Sequence, residues 1–145
     1  MNYVIYEIAT GKILQQIKCD ENQIDVIVEN WIGNNKVNFI QGDYAPMEYQ
    51  IVNGHVQKLT TRPSHYHFWN YEQQNWVLDN NLLIQDIDKK RQTLLMQTDW
   101  MVTRQSEANV VMSDSWKNYR QALRDITKQS SYPIEIIWPT PPSSS

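Results

Sequence analysis

The chain opens on strict alternation. Tyr3, Ile5 and Glu7 point one way and Val4, Tyr6 and Ile8 the other, the period-two pattern of a strand. Ala9 to Lys12 reads as a turn, with Gly11 free to take positive φ, and Lys12 to Lys18 as the returning strand of a hairpin. From Asp20 the period lengthens: Ile24, Ile27, Val28 and Trp31 fall on one helical face, with Asp20 as N-cap and Gly33 and Asn34 as the stop. Val37 to Gln41 is a further strand, and Gly42-Asp43 a turn. Met47 to Val52 and His55 to Leu59 flank Asn53-Gly54, the residue pair that a two-residue hairpin turn prefers. Tyr66, Phe68 and Trp69, a polar turn, and then Trp76-Val77-Leu78 predict a third hairpin.

The second half changes character at Asp79-Asn80-Asn81, whose side chains suit the cap of a long helix. Ile84, Ile87, Leu94, Leu95, Met101 and Val102 lie near one face, which predicts a helix running to about Gln105. A polar and β-branched link, Glu107 to Met112, leads to Ser113-Asp114, an N-cap for a second helix carrying Trp116, Tyr119, Leu123 and Ile126 at helical spacing. Two amphipathic helices joined by a short link predict an antiparallel αα-hairpin in which each covers the other's apolar stripe. Pro133, Pro139, Pro141 and Pro142 exclude helix from the end of the chain. There Ile134, Ile136, Ile137 and Trp138 form a short extended apolar segment, and the terminal Ser run is expected to be disordered.

The expected class is α+β, divided into a mostly β N-terminal lobe with one short helix (1–80), an αα-hairpin (81–129) and an extended Pro/Ser-rich tail (130–145). A chain of 145 residues carries one modest core, as one compact unit or two lobes. Charge follows the same division. Residues 1–80 hold five Lys/Arg and nine Asp/Glu, whereas 81–129 hold eight and six. The net charge of −3 gives no global reason to expect nucleic acid, whose binding neutralises phosphates with Lys and Arg. No stretch approaches the roughly 20 apolar residues of a spanning helix, and the N-terminus lacks a basic start followed by an apolar run; membrane insertion is not expected, and synthesis in the cytosol is. A lone cysteine, Cys19, allows no internal disulfide. Six Trp and eight Tyr against two Phe is the unusual feature: such rings pair an apolar body with a polar handle and suit both small cores and wet interfaces.

The segments RQTLLMQTDWMVTRQ and WKNYRQALRDITKQSSYPIEIIWPTPP carry a resemblance. An Arg-x-x-Leu-Leu helix followed by Asp-Trp, then Trp-x-x-Tyr-Arg-x-x-Leu-Arg-x-Ile, then a proline-containing end closing on Trp-Pro resembles the C-terminal region of phage tail assembly chaperones and small tail-fibre assembly proteins. YEIATGKI, QGDY, VNGHV and FWNYEQQNWV are similar to the β segments at the front of such proteins. The link SEANVVMSD departs from relatives that place an acidic residue soon after the first helix, which bears on partner choice. The resemblance implies a protein-binding role in building a tail or tail fibre, in the host cytoplasm and then in the virion tail if the protein stays with the particle. It implies a phage tail or tail-fibre protein as partner, and no cofactor or catalytic residue.

Candidate chemistry is sparse. His65 and His67 share a strand face, yet a metal site needs three or four donors and Glu72 is the obvious third alone. Asp86 with Asp88 and Asp20 with Glu21 suit caps and solvated faces better than acid–base catalysis. Cys19 has no adjacent His to activate it. The residues expected to contact a partner are Trp116, Tyr119, Arg120 and Arg124 on the second helix and Ile134, Ile136 and Trp138 in the tail. For the arginines the competing reading is a snorkelling edge with intrahelical pairs to Asp114 or Asp125. Tyr132 to Trp138 is a docking strand that either adds to a sheet edge or folds back over its own helices. Unpaired strand edges in the first lobe make a homo-oligomer possible. Two rival readings stand beside the assembly role: a permanent part of the tail tip or a fibre junction, and a glycan binder that uses Tyr66, Trp69 and Trp76 as a stacking platform.

Overall fold

The computed structural model describes residues 1–33 and 35–143. The expected helix stop at Asn34 and the end of the terminal Ser run, Ser144 and Ser145, lie outside the described residues. The chain is α+β and divides into two compact units, residues 1–78 and residues 79 onward.

The first unit is built around strand β1 (Asn2–Glu7), which pairs antiparallel with β2 (Ile13–Lys18) on one side and with β3 (Val37–Gln41) on the other. Alternation in β1 loads both of its faces with apolar side chains, and both are buried. Tyr3 and Ile5 pack with Ile24 of helix α1 (Glu21–Glu29), and Val4 and Tyr6 pack with Ile13 and Ile51. Each such aliphatic residue contributes roughly 1.5–3 kcal/mol on burial. The Gln23 side chain accepts from the Asp20 N–H at the start of α1. The helix stops at Glu29, short of Gly33, because the Asn30 amide turns back and donates to the Val26 carbonyl (2.8 Å).

A hairpin follows, β4 (Tyr49–Val52) with β5 (His55–Lys58), turning on Asn53 (φ 51°) and Gly54 (φ 76°). It is held to the first sheet at Gly11, whose carbonyl accepts from the Ile51 N–H (2.9 Å). Gly11 has φ +72°, and a Cβ there would collide with the Ile51 carbonyl, so the approach needs glycine. The third hairpin joins β6 (His67–Asn70) to β7 (Asn75–Leu78). Its Trp69 is buried, and the indole N–H donates to the Gln50 side chain (3.2 Å). Gln50, itself buried, also exchanges hydrogen bonds with Gln74, so this polar cluster is satisfied internally.

The second unit opens on α2 (Asn80–Met96), whose first turn is capped by the Asp79 carboxylate accepting from the N–H groups of Asn81 and Leu82. The helix expected to run to Gln105 is two helices. α2 ends at Met96, and α3 (Asp99–Ala108) restarts after Thr98, whose hydroxyl donates to the Leu95 carbonyl. Asn109 closes α3 in the left-handed region. α4 (Asp114–Arg124) then packs on α2, and a 3₁₀ turn (Asp125–Lys128) extends it. Ile87, Tyr119, Leu123 and Ile126 form the core of the unit, with Leu83, Leu94, Leu95 and Ile136 against them. Lys128, at 2.7 Å, and the Gln121 amide hold the Asp125 carboxyl below the ordinary carboxylate range.

Of the two readings of the Tyr132–Trp138 segment, the structure shows the one that folds back over its own helices, and the segment begins in turns rather than extended. Residues 129–135 are turns: the Tyr132 N–H donates to the Gln129 carbonyl and the Glu135 N–H to that of Ser131, with a cis Tyr132–Pro133 peptide between. The Gln129 side chain then clamps Ile137, donating to its carbonyl (2.8 Å) and accepting from its N–H (2.9 Å). Tyr132, Ile136 and Trp138 are thereby laid against the unit's own core.

Candidate functional site

The second unit carries an open groove of about 850 Å³, a size that admits a short peptide segment rather than a folded domain. One wall is the end of α2 and the start of α3, with Leu94, Trp100 and Met101. The link between helices forms a second wall through Val110, Val111 and Met112, and the floor is Trp116 with the Trp138–Pro139 tail.

Its shape comes from one buried cation. Arg120 is 7% exposed, and its guanidinium donates to the Leu95 carbonyl (2.9 Å), to the Thr98 hydroxyl and to the Asp99 carboxylate (2.9 Å). Those three acceptors sit at the orphaned C-terminal end of α2 and the first turn of α3. A planar fork with several fixed donors can satisfy them together, whereas an ammonium would act as a single point charge. The helix break at Thr98, and hence the angle at which α3 leaves, is thus tied to a residue on α4.

The break has a consequence for α3. None of its residues is buried, although Trp100, Met101 and Val102 stand in succession on it. Trp100 is 55% exposed, and Val111 in the following link is 72% exposed. A helix of this length is marginal by itself, since helices in proteins draw most of their stability from packing an apolar face. Met101 and Met112 add flexible, polarisable side chains that adapt to varied shapes. Two cations, Lys90 and Arg104, line the groove, and no Asp or Glu is among its described lining residues. Lys90 stands over the Trp138 ring at 4.2 Å, which steers the indole while leaving the ammonium at the rim.

The residues expected to touch a partner separate into three groups. Trp116 and Trp138 are half-buried and line the groove, Trp116 meeting Tyr119 edge-on at 5.7 Å. Tyr119 is buried in the core with its edge at the groove, Ile136 packs on the core, and Arg120 is committed within the unit. Arg124 is exposed and reaches Gln121, while Ile134 is exposed on the tail turn, away from the groove lining. The intrahelical pairs expected for the arginines go to lysines instead: Asp114 pairs with Lys117 and Asp125 with Lys128. Trp100, Val110 and Val111 were not singled out by sequence. The signal that could have found Trp100 is an apolar run with no helical partner, LLMQTDWMV continuing beyond the face that α4 covers; Val110 and Val111, in the link after α3, carry no such periodic signal.

Of the three rings expected as a stacking platform, Tyr66 and Trp76 are half-buried and Trp69 is buried. Trp69 is 8% exposed; Trp76 meets it edge-on, donates its N–H to the Thr60 carbonyl (3.0 Å) and carries the Arg62 guanidinium over its ring. Among the described residues no group of three or more His, Cys, Asp or Glu side chains is placed to hold a metal ion, and no helix is long and apolar enough to cross a membrane.

No curated protein and no solved structure matches the chain. Residues 84–143 match the family model described as phage tail assembly chaperone protein, and every residue lining the groove falls inside that segment.

Proposed function

We propose, from the match of residues 84–143 to the phage tail assembly chaperone family model, that this protein is a non-enzymatic binding module which docks a phage tail or tail-fibre protein in the groove of its second unit. The observation that carries the reading is the coincidence of the matched segment with the groove, together with a helix, α3, that has no buried face of its own. Rigid aromatic rings around an apolar cleft are the composition that protein interfaces favour. Trp116 and Trp138 supply the floor, and Trp100 the exposed anchor beside them. Tyr119 and Arg120 act by holding these walls, whereas Arg124 and Ile134 are rim positions. The protein works where tail proteins are assembled, in the host cytoplasm.

The test is capture by the full chain from lysate of cells infected with its own phage, with a Trp100→Ala/Trp116→Ala chain alongside. The expected outcome is a tail or tail-fibre protein retained by the parent and lost by the variant. Equal retention by both removes the groove from the reading, and retention of no tail component removes the function.

A further inference from the structure

We infer that the occupant of the groove is an apolar protein segment bearing carboxylates beside its anchoring side chains, a reading that rests on the docking role above. The apolar part follows from Trp100, Met101, Val111, Met112 and Trp116 in the lining, beside which Gln97, Thr98 and Ser113 supply neutral polar groups. The charge follows from what stands among them. Lys90 and Arg104 line the groove, and among the described residues no Asp or Glu does. The nearest carboxylate in sequence to Trp100, that of Asp99, is committed to Arg120 at 2.9 Å. A segment entering this cleft therefore meets two cations, one from α2 and one from α3, with no Asp or Glu among the described lining residues to neutralise them.

In a partly desolvated cleft such an arrangement selects by sign. A carboxylate brought beside either cation gains a charge-assisted contact, whereas a lysine or arginine there meets a like charge at short range, which costs more as water is excluded. Apolar side chains of the segment supply affinity, and the flanking acids set which segments enter and in which direction they lie. The same cations tie selection to ionic strength, because exposed charges are screened beyond about 10 Å at 0.1 M salt.

The experiment titrates the full chain against short overlapping peptides, fluorescently labelled, that tile the tail proteins of the same phage. It is repeated with Arg104→Glu, with Lys90→Glu/Arg104→Glu, and with the tightest peptide resynthesised with its acids replaced by lysine. Arg104 stands exposed on α3, so the single variant leaves the core of the unit untouched. We expect bound peptides to combine apolar anchors with acids, each reversal to weaken binding at least tenfold, and the lysine peptide to recover binding on the doubly reversed chain. Binding of neutral or basic peptides, or affinity unmoved by either reversal, overturns the inference while leaving the docking role intact. So does capture of a whole tail protein from lysate with no peptide bound. Failure of that capture is the separate result that removes the docking role.

Discussion

The tryptophans of the two units are treated in opposite ways. In the first unit Trp69 and Trp76 are packed edge-on against each other, and both indole N–H groups are satisfied internally, by the Gln50 side chain and by the Thr60 carbonyl. In the second, Trp100, Trp116 and Trp138 converge on an open cleft, and Trp100 is more than half exposed. One residue type thus serves as closed-in filler in one unit and, in the other, keeps a face open to the cleft, most of all at Trp100. What separates the two roles is how many sides of each ring the neighbouring elements close. Trp69 lies on a hairpin whose buried Gln50 neighbour is itself part of a satisfied amide cluster. Trp100 lies on a helix that leaves the bundle at an angle fixed from α4, so no element of its own unit covers it.

The sharpest way to break this comparison is to truncate one ring of each kind. Trp69→Ala should cost about 3–5 kcal/mol of stability, read by denaturant unfolding of the first unit, and leave capture of a tail protein unchanged wherever the chain stays folded. Next, removing the Arg120 guanidinium leaves the Leu95 carbonyl, Thr98 and Asp99 without their donor. Arg120→Ala should lower stability by about 1–3 kcal/mol and also weaken partner binding, and Arg120→Lys should restore little of either. Trp100→Ala should be the converse of Trp69→Ala: stability within about 0.5 kcal/mol of the parent, and binding to a tail partner weaker by roughly 30-fold or more, the signature of an interface anchor. Gln129→Ala should loosen the tail at Ile137 by about 0.5–1.5 kcal/mol, seen as faster amide exchange at that residue.

The smallest effect separates the units by pH. Burial, with Glu21 nearby, raises the Tyr3 hydroxyl above its ordinary value of 10.0, and burial raises Tyr71 likewise. A raised folded value means that the native state holds its proton more tightly than the unfolded chain. The first unit should therefore keep this contribution below pH 10 and lose it as pH rises through the folded values. Asp125 in the second unit is shifted the other way by Lys128 and Gln121. Its contribution is present above the ordinary 3.8 and is lost as pH falls through the lower folded value. Tyrosine absorbance on alkaline titration and amide exchange in the 3₁₀ turn on acid titration check the two signs.

Local chemistry carried much of the reading. Val37 to Gln41 is a strand because its pattern and its flanking turn agree, Asn53-Gly54 turns a hairpin because both residues tolerate positive φ, and Asp79 starts α2 because its carboxylate reaches two orphaned N–H groups. The α+β class follows from the switch between periods two and 3.6 near residue 79, and the Leu123–Ile126 core from helical spacing. These are short-range properties, readable wherever the partner group lies within a few positions.

Three features depended on partners distant in sequence. The helix break at Thr98 is held by Arg120, 22 residues away, and no residue near Thr98 forbids a continuous helix. The apolar stretch through Trp138 folds back because Gln129 clamps Ile137, although the same residues would suit an added strand. The division of tryptophans into filler and surface is invisible to spacing, since an indole on an amphipathic face looks the same whether or not another element arrives to cover it. Sequence alone determined where the elements begin, which faces are apolar, and the family likeness of the second half. Tertiary structure decided which apolar faces find a cover inside their own unit, because burial belongs to the whole arrangement of elements and not to any one of them.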